Sequence, residues 1–192
     1  CFVERHGAEQ HPYFGFDYEL AGKRIAEKVI SEDFHRIAVI TDSMRFSNEH
    51  DFSRGLCSRF RGGKVKYTHI TTDNRRVSHS MIDLLMKEED YDAVVTSNIR
   101  FAEKIRHVVE NFSLEQPIPI FTLSSVTSLP EQDYRKYELN YGLLGRAVAE
   151  TLIAESSEKQ TQPEQLFEND GFRLWNQMEC GSRPVKQLRI LT

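Results

Sequence analysis

Four times along this chain a β-branched apolar run leads into a polar loop and then into a helical pattern. The runs occupy residues 36–40, 65–70, 92–95 and 118–123. This cadence predicts an α/β fold built on a parallel sheet with helices on both faces. Parallel neighbours need helical crossovers, and a sheet covered on both sides shows near-continuous apolar strands. It also says where function should lie, because such sheets bind ligands off the carboxyl ends of their strands. The loops after Ile40, Val95 and Leu123 therefore matter most.

Around these runs the local patterns are readable. Tyr13-Phe14-Gly15-Phe16 suits a short strand, and Asp17 can cap a helix carrying Ala21, Ile25 and Val29 at i, i+4, i+8. A second helix is expected over 48–60, stopped by Gly62-Gly63. Residues 64–70 alternate enough for a strand near an edge. A helix over 77–87 would turn Met81, Leu84 and Leu85 inward. The run 92–95 is the central strand, followed by Phe101, Ile105, Val108 and Phe112 at helical spacing. A strand over 137–140 precedes a helix over 142–155 with Leu144, Val148 and Leu152 in register. Residues 156–164 form a charged linker, and short strands at 165–167 and 172–175 flank the turn signal Asn169-Asp170-Gly171.

The chain has 192 residues, enough for one good-sized domain or two small lobes. Its net charge of -4 argues against a nucleic-acid surface on this segment, since phosphate binding needs a basic stripe. No apolar run approaches the ~18 residues of a membrane span, so no membrane partner is expected. Cys1, Cys57 and Cys180 are odd in number and widely spaced, which fits a reducing cytoplasm better than a disulfide framework or zinc site. Both ends, from Cys1-Phe2-Val3-Glu4 to Leu188-Arg189-Ile190-Leu191-Thr192, read as strands cut short. The expectation is a fragment of a longer protein, with 176–192 leading to a following domain.

The strongest chemical constellation is polar and sits at strand ends: Asp17, Asp42, Ser43, Thr96, Ser97, Asn98, Ser124 and Ser125. Such side chains pair donors with acceptors, as a polyhydroxylated small ligand requires. Asp17, Ser97 and Asn98 also suit helix caps, and the two roles are compatible. Phe14, Phe16 and Phe52 fit either stacking on a ligand ring or the core. No nucleophile elbow, P-loop, dinucleotide fingerprint or HExxH pattern occurs, and the seven histidines do not pair at metal spacing. Cys57 falls inside a helical pattern and is expected to be a small buried hydrophobe. No enzyme activity, cofactor or metal is expected.

In order and spacing the chain resembles the effector-binding domain of the lac-repressor family of bacterial transcription regulators, which has the periplasmic-binding-protein type I fold. Phe2-Val3-Glu4-Arg5 is similar to that family's strand ending in a carboxylate and an arginine. Phe16-Asp17-Tyr18-Glu19-Leu20-Ala21-Gly22-Lys23-Arg24-Ile25-Ala26 resembles its "D…AG…A" segment. Phe34-His35-Arg36-Ile37-Ala38-Val39-Ile40 resembles "GHRRIAFI" with Phe34 for the glycine, and Leu143-Leu144-Gly145-Arg146-Ala147-Val148-Ala149 resembles "LGRxAA". The likeness spans about residues 2–175.

The resemblance implies two lobes around a small effector, a sugar or sugar derivative in many members. It also implies DNA contact only through a separate N-terminal helix-turn-helix. By analogy 34–123 forms the C-terminal lobe, while 2–31 and 137–155 are remnants of the N-terminal one. Remnants of that kind favour a homodimer. A solute-binding protein for uptake shares the fold and is the alternative. The resemblance carries Asp17 and Asn98 over as ligand contacts, beside Phe16, Asp42, Phe52, Ser97 and Ser124. Phe52 stands at the family's arginine position, Ile99 at its aspartate after the asparagine, and Ser124 at a further aspartate.

Overall fold

A computed structural model describes residues 2–3, 13–72, 90–111, 118–125, 134–157, 165–167 and 188–190. The helix expected over 77–87, the loop residues Asp73 and Asn74, Phe112 and the strand expected over 172–175 lie outside the described residues. The elements are β1 (Phe2–Val3), β2 (Tyr13–Phe16), α1 (Tyr18–Ser31), β3 (Arg36–Thr41), α2 (Ser47–Phe60), β4 (Lys66–Thr71) and β5 (Ala93–Thr96). They continue with α3 (Ile99–Asn111), β6 (Ile120–Ser124), β7 (Arg135–Glu138), α4 (Tyr141–Ser157), β8 (Gln165–Phe167) and β9 (Leu188–Ile190).

Five strands form one parallel sheet in the order β4-β3-β5-β6-β7. β5, the short wholly apolar run, lies at its centre, and the alternating β4 lies at its edge, as expected. In β3 every residue after Arg36 is buried, which follows from helices covering both faces. Ile37, Val39, Ala93, Val95, Phe121, Leu123 and Tyr137 point to one face, where they pack with Ala21, Ile25 and Val29 of α1 and Phe52, Leu56 and Phe60 of α2. Ala38, Ile40, Val94 and Ile120 point to the other and meet Phe101, Ala102 and Ile105 of α3. A second sheet, β1-β2-β8-β9, is parallel apart from the antiparallel β8–β9 pair.

β7 pairs with β6, Tyr137 opposite Leu123, so it belongs to the sheet that contains β3. α1 likewise buries its apolar stripe on that sheet and against α2. The reason is geometric: an amphipathic helix docks wherever its stripe finds matching apolar surface, whatever its place in the sequence. In α4, Leu144 is buried as expected, but Leu152 is 44% exposed, because only the first two turns reach the core. Cys57 is half-buried rather than fully so and lies beside the Tyr67 hydroxyl, which its contact and burial hold above the usual tyrosine range.

Two glycines let α1 and α2 touch backbone to backbone. A Cβ on Gly22 would collide with the Phe52 carbonyl, and one on Gly55 would collide with the Glu19 carbonyl. The helix pair is bound outside this contact by Arg54, which meets Glu19 and Asp51, and by Arg59, 2.7 Å from Glu27. At the amino edge of the sheet Asp92 accepts from the backbone N–H groups of His35 and Arg36 at 2.8 and 2.9 Å. That carboxylate fixes the start of β3 against β5.

Candidate functional site at the carboxyl edge of the sheet

At the opposite edge the strands end in polar residues. The Ser97 N–H donates to the Ile40 carbonyl at 3.2 Å, which brings the turn after β5 against the end of β3. Asp42 follows β3; its Oδ1 accepts from the Ser43 N–H at 2.7 Å. Its own N–H donates to Glu49 Oε2 at 3.0 Å. Glu49 is only 5% exposed, and burial pushes its carboxyl above the ordinary carboxylate range. Contacts with the Ser97 hydroxyl and the Asp42 N–H offset part of that effect, while the Asp42 charge adds to it. The Ser97 hydroxyl is buried near this carboxyl without a well-formed hydrogen bond.

Hydroxyls continue the site along the edge. Thr96 Oγ1 donates to Thr122 Oγ1 at 2.8 Å, and Thr122 donates on to the Leu123 carbonyl. On β4, His69 Nε2 lies 2.9 Å from Thr41 Oγ1, and burial lowers the imidazole below its usual range. Asn98 Oδ1 accepts from the Phe101 N–H at 3.2 Å, so it caps α3. Ser124 is buried at the end of β6, where its carbonyl accepts from the Leu139 N–H at 2.8 Å.

Of the expected contact residues, Asp42, Ser97, Asn98 and Ser124 thus stand at one edge. Asp17 does not join them by any hydrogen bond or ion pair among the described residues. It caps α1 by accepting from the Leu20 N–H at 2.8 Å, and its charge acts on Arg54. The two aromatic candidates lie in packed surroundings. Phe52 is fully buried between α2 and the sheet, and no face of its ring is open to a ligand. Phe16 is packed edge-to-face against Tyr18 and Tyr141, with ring centres 6.3 and 5.0 Å apart.

Glu49 was not among the candidates, although its spacing marks it. It shares the stripe of Phe52, Ser53, Leu56 and Phe60, the inward positions of α2. Phe46 was also missed: it is 53% exposed on the loop between Asp42 and α2. Among the described residues no group of three or more His, Cys, Asp or Glu could hold a metal, and no helix is long and apolar enough to cross a membrane.

No protein-family model matches the chain, and no curated protein matches it. Solved structures do. A LacI family transcription regulator from Clostridium acetobutylicum superposes with a TM-score of 0.72 at 12% identity, covering 86% of this chain and 65% of the other. The Cra transcriptional dual regulator from Pseudomonas putida, in complex with fructose 1-phosphate, gives 0.70 at 15%, covering 86% and 64%. A Caulobacter myo-inositol binding protein, bound to myo-inositol, gives 0.68 at 18%, covering 82% and 60%. The chain spans about three fifths of the length of these proteins. At such identities the likeness is one of architecture: the chain has the parallel α/β arrangement of the periplasmic-binding-protein type I fold.

Proposed function

We propose that this chain is the ligand-sensing part of a transcription regulator resembling the lac-repressor family. It would bind a small molecule at the carboxyl edge of the five-stranded sheet and act on DNA through a module outside these residues. One observation carries the reading: Asp42, Ser97, Asn98 and Ser124 converge at the edge where this fold class binds ligands. Two of the neighbours described above are regulators, and one of those holds a sugar phosphate. A solute-binding protein for uptake is the second reading, favoured by the inositol-binding neighbour. The regulator reading places the protein in the cytoplasm as a homodimer.

Binding would shift the lobe geometry only through differential affinity for two states, typically 1–3 kcal/mol of coupling. The test is calorimetry and thermal shift with fructose, myo-inositol, fructose 1-phosphate and a nucleoside. At least one should bind, and Asn98→Ala should weaken it at least about tenfold, beyond the ~1 kcal/mol stability cost of a lost cap. If none binds, or if Asn98→Ala binds as the parent does, the assignment is wrong.

A further inference from the structure

Among the described residues around the ends of β3 and β5, the buried and half-buried charges are both negative. Glu49 is buried, Asp42 is half-buried beside it, and their mutual repulsion already disfavours a second negative charge there. Asp42 Oδ1 is occupied by the Ser43 N–H, whereas no hydrogen bond among the described residues reaches its other oxygen. Ser97 Oγ, in a residue 5% exposed, touches the Glu49 carboxyl without a well-formed hydrogen bond. A buried hydroxyl so poorly bonded is costly, and its remaining capacity suits a ligand group. Phe46, on the same loop, presents an exposed ring of the kind that packs on the apolar face of a cyclic ligand.

The cations nearby do not reverse this. Arg45, on the loop after β3, and Arg100, in the first turn of α3, are both exposed, where water and salt screen them. Lys136, two register pairs back from the end of β7, is buried and engaged within the fold. Among the described residues, a phosphate dianion placed here would face Asp42 and Glu49, and the buried cation Lys136 is already engaged within the fold.

Building on the sensing role given above, we propose that this edge selects uncharged or ammonium-bearing polyhydroxy rings and discriminates against their phosphate esters. Asp42 accepts from a ligand O–H or N–H and Ser97 exchanges a hydrogen bond with it. Glu49 is a positioning residue that holds the Asp42 main chain in place.

The test is calorimetric titration of the full chain with matched probes. These are glucose, glucosamine and glucose 6-phosphate; fructose and fructose 1-phosphate; myo-inositol and myo-inositol 1-phosphate. In any set that binds, the free or amino member should bind more tightly than its phosphate ester by on the order of tenfold. Asp42→Asn should narrow that ratio, and Arg45→Ala should leave it unchanged. Glu49→Gln supplies a second variant should Asp42→Asn not fold, as judged by circular dichroism, and it too should narrow the ratio. A phosphate ester that binds as tightly as its free partner, or one whose binding disappears with Arg45→Ala, overturns the selectivity and leaves ligand sensing standing. Failure of every probe overturns both.

Discussion

Glu49 concentrates the residue-scale questions, because a buried carboxyl makes stability depend on pH. Below its ordinary pKa of 4.5 folded and unfolded chains both hold the proton, and burial carries no charge penalty. As pH rises through 4.5 the unfolded chain releases the proton that the folded one retains, so stability falls until the raised folded value is passed. The deficit then persists. Glu49→Gln, which keeps an acceptor for the Asp42 N–H, should therefore match the parent at low pH and exceed it at neutral pH. Each ~1 kcal/mol so gained would appear as roughly 2–4 °C in Tm. Equal melting temperatures at both pH values would refute the penalty.

His69 runs the other way. Its imidazole is held neutral by burial, so stability is present above 6.5 and is lost as pH falls below it toward the lowered folded value. Replacing it with Gln should flatten that acid limb, which denaturant titrations across the range would measure. Phe52 shows what sequence could and could not supply at this scale. Its residue type left stacking and core both open and alignment to a family motif placed it at a ligand position, while in the structure it lies on the inward stripe from Glu49 to Phe60. The stripe prevailed because burying a phenyl ring is worth about 1.5–3 kcal/mol. Asp42, Ser97, Asn98 and Ser124 were legible as strand-end polar residues, but Phe46 was not, since exposure of a single aromatic leaves no mark in the pattern.

At the scale of elements, the α1–α2 contact is the most sensitive joint. Gly22→Ala and Gly55→Ala each put a methyl group into a facing backbone carbonyl that has no flexible end to yield. Each should cost about 1–3 kcal/mol, as overpacking does, although alanine ordinarily favours a helix over glycine. A chemical-denaturation midpoint raised by either change would contradict the packing. The turn after α1 offers an opposite test. Asp33 has a φ of 64°, left-handed backbone that a non-glycine residue adopts at a cost of roughly 1 kcal/mol. Asp33→Gly should stabilise the protein by a few tenths of a kcal/mol once the added freedom of the unfolded chain is offset. The helices and strands themselves were largely legible, because 3.6-residue and continuous apolar patterns are local. The partner of β7 was not, because strand pairing is decided by distant residues.

For the whole molecule, the exposed apolar side chains of α4 bear on assembly. Tyr141, Leu143, Leu152 and Ile153 are each at least 44% exposed along one helix. Light scattering should find a dimer if the homodimer in the proposed function is correct, and Leu143→Asp with Leu152→Asp should shift it toward monomer. A monomeric parent chain would remove that part of the assignment. Parallel topology fixed in advance which edge would carry the polar cluster, and the cluster stands there. The ligand was never in the cadence, because the same edge in the same fold accepts different solutes according to a few side chains.

The bare contact at Gly22 and Gly55 also has a mechanical consequence. Helices that meet through their main chains have no side-chain layer in which to slide, so α1 and α2 behave as one strut. α1 begins one residue after β2, in the smaller sheet, and α2 begins beside Asp42 and Glu49. A displacement at the ligand edge would then be carried along the strut to β2 in the smaller sheet. Hydrogen exchange should accordingly slow or quicken in both helices together on ligand addition, and protection confined to α2 would show that the strut is not rigid.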